Sequence, residues 1–215
     1  MKPPSATTVK AVVFVVFVIA LVSIPFVILG EERSEALTRS ILHSQGNHAV
    51  AMSLIAIGLL AADSVAPVPA TIVLWILAHE AGLLAGIVGG TIGLSLGVLT
   101  AAWLGRTAVG RLAPKFFPDA ELARLRTLLQ SRLMVTLACL RSVPVLAETS
   151  VIAAAAMGIP VRRIFWASLL PNFIVATIYS IAADSWQTAT IAFFGTMIAS
   201  YVLWRWLGRG KDSAP

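Results

Sequence analysis

Four stretches without one charged side chain constrain this chain more than any other feature: residues 11–30, 82–105, 164–183 and 185–204. Each matches the ~20 apolar residues that a helix needs to cross a hydrocarbon core of ~30 Å. Composition agrees, with 58% hydrophobic and 12% charged residues and a mean hydropathy of +0.89. A soluble domain carries roughly 45–50% apolar and about 25% charged residues. The expected class is therefore an all-α integral membrane protein. The first run follows Lys2 and Lys10 and ends at Glu31 and Glu32. It is longer than the 7–15 apolar residues of a signal peptide, and we read it as a retained span.

Two further apolar stretches break in the middle. Residues 49–78 contain Asp63, Pro67 and Pro69, and residues 133–160 contain Arg141, Pro144 and Glu148. Each is too long for one span and short for two. A break leaves backbone groups unpaired, which hydrocarbon tolerates only where protein or a wet cavity covers them. The economical reading is a re-entrant helical hairpin in each: hairpin 49–80 followed by span 82–105, and hairpin 133–160 followed by span 164–183.

Charge bias orients this layout. With the N-terminus inside, the first hairpin opens outward and the second inward. The C-terminus then also lies inside. All sixteen basic residues fall on the inner side except Arg33, Arg39 and Arg141. That satisfies the positive-inside rule. The net charge of +6 thus reports topology, and a nucleic-acid partner is a poor second reading. Residues 106–132 read as an amphipathic segment on the anionic inner leaflet. Hairpin–span occurs twice, from opposite sides, which is an inverted-topology repeat of the kind many transporters use. Asp63-Ser64-Val65-Ala66-Pro67-Val68 and Arg141-Ser142-Val143-Pro144-Val145 are alike at the two breaks. Gly82, Gly86, Gly90, Gly93 and Gly97 let another helix approach closely. In the other repeat Asn172 follows Pro171, and it either bonds across helices or lines the cavity.

Asp63, Arg141 and Glu148 carry the functional expectation. A charge at the bilayer centre costs ~2.5–3.5 kcal/mol on insertion scales, so three of them imply partners, a cavity and a purpose. One reading is a salt bridge pinning the two hairpins. The preferred reading is a transport site, because three charges do not pair evenly. There Arg141 meets an anionic headgroup or phosphate, and a carboxylate couples protons or releases the substrate. His79 and Glu80, at the outer end of the first hairpin, read as a surface pair, with a gate or proton relay as the alternative. Cys139 is the lone cysteine, which excludes an intramolecular disulfide. Three histidines argue against a His-rich metal site. No metal and no cofactor are expected.

The stretch from Arg141 through Pro144 and Glu148, then Ala153-Ala-Ala-Ala-Met-Gly158-Ile-Pro160-Val-Arg162-Arg163-Ile-Phe165, resembles the signature of the DedA/VTT-domain superfamily, the SNARE-associated membrane proteins. So does Asp63-x-x-x-Pro67-Val68-Pro69 with the glycine-rich run ending Leu104-Gly105-Arg106. The resemblance covers about residues 50–185. DedA-type members often carry Ser-Glu after the Pro-x-Pro, where this chain has Ala70-Thr71. They often carry a second arginine three residues after the motif proline, where it has Ala147. The chain is thus nearer the broad VTT branch than the best-known DedA members. The resemblance implies two opposed re-entrant hairpins and movement of lipids between leaflets in a bacterial plasma (inner) membrane.

The expected organisation is an N-terminal span and outer loop (1–48), a transport domain (49–185) and a C-terminal span with a basic tail (186–215). The expected function is translocation or scrambling of an anionic lipid or lipid phosphate, with proton coupling as an option. The alternative is a proton-coupled small-ion transporter or antiporter. A membrane enzyme is the weakest reading, since no histidine or carboxylate cluster accompanies Arg141. The partners are membrane lipids with anionic headgroups, and protons. A homo-oligomer is compatible with all of this.

Overall fold

The structure, a computed structural model, describes residues 31–43, 49–66, 68–112, 133–141 and 146–209, with isolated helical residues between 13 and 24 and between 114 and 130. Most of the expected first span, most of the segment 113–132, and both Pro67 and Pro144 lie outside the described residues. Every regular element among those described is helical. These are α1 (Glu31–His43), α2 (Ala49–Ala62), α3 (Ala70–Ala81), α4 (Leu83–Leu104), α5 (Leu133–Arg141), α6 (Leu146–Ala156), α7 (Val161–Ile181) and α8 (Trp186–Arg209). A π-helical turn, Gly105–Val109, extends α4, and a 3-10 turn, Ala182–Asp184, follows α7.

Two of these helices, Leu83–Val109 and Val161–Asp184, are long and apolar enough to cross a membrane. They start and stop where their charge-free runs do, with small shifts. The first begins after Gly82, whose φ of 93° lies in a region that favours glycine. The second begins at Val161, just after Pro160, so that Arg162 and Arg163 fall in its first turn. The expected outer loop after residue 30 is helical through His43. Its Arg39 pairs with Glu35 one turn earlier at 2.8 Å and lies over the Trp75 ring. Such an i,i+4 pair stabilises a helix by a few tenths of a kcal/mol.

Side-chain contacts fix the directions. Asn172 meets Ser95, the Ala176 side chain abuts Gly90, and Ser180 abuts Gly86, so α4 and α7 run antiparallel. Helix α2 runs parallel to α4, with Ile57 near Gly89 and Gly93, and Leu60 near Gly93 and Gly97. Helix α3 runs the other way, with Ala78 near Gly86 and Leu74 near Gly90. Hence α2 and α3 form an antiparallel hairpin lying on α4. Helix α6 packs where α4 passes into the π-helical turn, with Ile152 and Ala155 against Gly105.

The glycines make these approaches possible. A Cβ at Gly97 would stand 2.7 Å from the Leu60 carbonyl oxygen, and one at Gly93 would stand 2.8 Å from Leu60 Cβ. Gly82 is different from the other four glycines expected to pack: nothing lies within 4 Å of its Cβ position, and it serves the turn between α3 and α4.

Burial divides into two apolar clusters. One gathers Met52, Ala56, Leu60, Leu74, Leu77, Leu94 and Ala176. The other gathers Val98, Ala101, Leu133, Leu137, Val151, Ile152 and Ile164. The opposite face of α4 is bare: Leu84, Val88, Ile92, Leu96, Leu99 and Trp103 are all exposed. They recur every three or four residues and form one continuous apolar stripe. On α7, Trp166, Leu170, Phe173, Ile174 and Ile181 are exposed in the same way.

Candidate functional site

Asp63, Arg141 and Glu148 line one pocket between the two apolar clusters, together with Leu60, Ser64, Gly97, Val98, Ala101 and Val151. The elements deliver each charge locally. Arg141 is the last residue of α5, where the negative end of the helix dipole favours a cation. Glu148 stands in the first turn of α6, where the positive end favours an anion. Asp63 sits in the turn that ends α2.

That turn is tied down from α4. The Ser64 hydroxyl donates to the Gly97 carbonyl at 3.2 Å. The Thr100 hydroxyl donates to the Ala61 carbonyl at 2.6 Å, satisfying one of the acceptors a helix end leaves open. Because Gly97 has no side chain, the α2 backbone comes close enough for both bonds. Asp63 is thereby held in the pocket that Arg141 and Glu148 also line.

The Arg141 Nη1 to Glu148 Oε1 distance is 3.8 Å, with 9% and 14% of the two side chains exposed. That is an ion pair without a hydrogen bond. Asp63 lies within electrostatic reach of both Arg141 and Glu148. The open room among the three is about 10 Å³, close to what one water needs. A planar guanidinium with five donors, held near two carboxylates yet not forked onto either, is a poor structural clasp.

Of the other expected site residues, Pro69 caps the start of α3, and its carbonyl accepts from Ile72 and Val73. Asn172 is fully buried, and its amide donates to Ser95 Oγ at 3.1 Å. It joins the middles of α4 and α7 and does not line the pocket. Its Oδ1, like the hydroxyls of Ser168 and Ser180, has no partner among the described residues. His79 stacks on Trp75 with centroids 5.1 Å apart, and its Nδ1 lies 3.1 Å from the Ala183 carbonyl oxygen. That contact ties the end of α3 to the turn after α7. Glu80 is exposed. Among the described residues no group of three or more His, Cys, Asp or Glu is placed to hold a metal ion.

Sequence reasoning gave no role to Ser95 and Thr100, and quoted Ser64 and Gly105 only as members of motifs. The signal was present for the first three, as hydroxyls in apolar stretches face protein or water. Gly105 gave no signal beyond its place at the end of the glycine-rich, charge-free run. The chain matches no protein-family model, no curated protein and no solved structure.

Proposed function

We propose that the chain is an integral membrane transporter that moves an anionic lipid or lipid phosphate between leaflets, with Arg141 receiving the phosphate and Glu148 or Asp63 exchanging protons. The observation that carries this reading is the meeting of the three charges in one small pocket against α4, beside Gly97, Val98 and Ala101. Soluble monomers rarely expose apolar patches beyond about 300–600 Å², and the bare stripes of α4 and α7 fit lipid contact instead. The limbs α2, α3 and α6 have 14, 12 and 11 described residues. At about 1.5 Å per residue each falls short of a ~30 Å core. That supports two re-entrant hairpins. The antiparallel α4 and α7, each preceded in the chain by a pair of short helices, support an inverted repeat. Helix α8 and the run 11–30 complete four spans in this reading. The motifs around Asp63 and Arg141 make the DedA/VTT superfamily, in its broad VTT branch, our proposed home for the chain.

The volume of the pocket favours one competing reading. Space for a single water suits a proton or small ion, so a proton-coupled ion transporter is the second proposal. A lipid phosphate reaches Arg141 only if the hairpins part. Reconstitution in liposomes with a fluorescent phospholipid, with and without a pH gradient, separates the two. Lipid movement supports the first. Ion flux without lipid movement supports the second and overturns the first.

In the proton-coupled form, Glu148→Gln keeps shape and removes the ionisable group. The variant should still move substrate yet lose its response to a pH gradient. A fully responsive Gln variant would leave Asp63 as the proton site. The topology has its own check. In a Cys139→Ser background, cysteines at Ala49 and His79 should both label from outside, and cysteines at Leu133 and Arg162 from inside. Labelling of 49 and 79 from opposite faces would replace the hairpin with a full crossing.

A further inference from the structure

We propose that the cleft between the start of α5 and the first turn of α7 is a docking site for the headgroup of an anionic phospholipid of the inner leaflet. It is a second site, away from the central trio, and it rests on the membrane reading above. The cleft has a volume of about 630 Å³ and is lined by Arg162, Arg163, Trp166, Leu133, Met134 and Gln130, among others. That size suits a headgroup, whereas the central pocket holds about 10 Å³.

Its chemistry is divided by height. Helix α7 has 21 residues, about 32 Å at 1.5 Å each, so when it spans the core its first turn stands at headgroup level. Arg162 and Arg163 are there, both exposed. Arg163 donates one long bond, 3.4 Å, to the Gln130 carbonyl. Among the described residues Arg162 has no bond or ion pair, and no carboxylate lines the cleft. Two guanidinium groups therefore face the cleft with nearly all donors unused, and guanidinium matches phosphate oxygens two at a time. Just below them, Trp166 is 59% and Met134 47% exposed, an apolar wall at the depth where acyl chains begin. The Trp166 ring sits edge-on to Phe165, with centroids 5.4 Å apart. A soluble anion would meet the arginines and gain nothing from the wall; a lipid uses both.

Trp166 sits in the cleft and reports its occupant. The full chain is reconstituted in phosphatidylcholine vesicles containing phosphatidylglycerol, with bromine on the acyl chains of one lipid or the other. The Trp166 signal is the difference between the wild type and Trp166→Phe. Brominated phosphatidylglycerol should quench it with an effective affinity roughly fivefold or more above brominated phosphatidylcholine, a factor of about five being typical for one basic residue at an anionic surface. In Arg162→Gln/Arg163→Gln the two lipids should quench equally. Equal quenching in the wild type, or a preference that survives in the double variant, overturns the site. Failure of the membrane reading looks different: brominated phosphatidylcholine would then quench no tryptophan, including the exposed Trp103. Failure of lipid transport leaves the measurement intact, because occupancy needs no movement between leaflets.

Discussion

Arg141→Ala should lower stability by about 3–5 kcal/mol, the usual consequence of removing one partner from a buried ionic group. The variant leaves Asp63 and Glu148 lining the same pocket with no cation. Thermal unfolding in detergent should show a large drop in midpoint, or no folded protein at all. Arg141→Lys separates fold from function. Lysine keeps the charge at the C-terminal end of α5, so this variant should unfold near the wild-type temperature. It lacks the planar fork that takes two phosphate oxygens. Lipid movement in liposomes should therefore fall at least tenfold, roughly 1.4 kcal/mol or more of lost stabilisation of the bound phosphate. A lysine variant that transports at the wild-type rate would reduce Arg141 to a structural counter-charge. The 3.8 Å spacing to Glu148 is the reason for expecting otherwise, since the fork is not engaged there.

Gly105→Val should have the next largest effect, although no charge is involved. A Cβ at Gly105 would overlap the Ile152 carbonyl oxygen and stand 2.9 Å from Ala155 Cβ and 3.0 Å from Ile152 Cα. Two of these are backbone atoms of α6, so no flexible side chain can turn aside. Overpacking of this kind typically costs 1–3 kcal/mol for a small addition, and valine adds more than the first methyl. The helix must move as a body, and it carries Glu148 one turn before Ile152. Gly105→Ala should therefore lower the unfolding temperature by less than valine does, and both should weaken transport. Gly82→Ala is the control for space alone. Its Cβ position is open, but its φ of 93° with ψ of 162° strains any other residue, so it should lose about 1–3 kcal/mol through the backbone and leave the pocket intact.

The long helices were legible because their information is local. A charge-free run needs no partner to declare itself, and Gly82 and Pro160 mark the starts of α4 and α7. The polar breaks were legible for the same reason: Asp63 with Pro69, and Arg141 with Glu148, interrupt apolar sequence where a continuous helix would have none. The helix Glu31–His43 was missed because its polar residues read as a loop, and its Glu35–Arg39 pairing was not weighed. Asn172 was left between two roles, since a buried amide looks the same in sequence whether its partner is a hydroxyl or a cavity.

The sequence by itself marked an all-helical chain with four charge-free runs, of which two are helices long and apolar enough to cross a membrane among the described residues, and where charge interrupts the shorter helices. Periodicity, charge-free length and proline act within one stretch of chain, so they can be read along it. Only the tertiary structure decided that Ser64 and Thr100 reach across to hold the α2 end, and that Ser95 takes the Asn172 amide. Only it set the room beside Arg141 at about that of one water, and left two arginines beside an apolar cleft at the start of α7. Those outcomes depend on which backbones come within a few ångströms of each other. That is settled by glycines at contacts between helices far apart in sequence, where removing a single Cβ selects the partner and no local pattern records it.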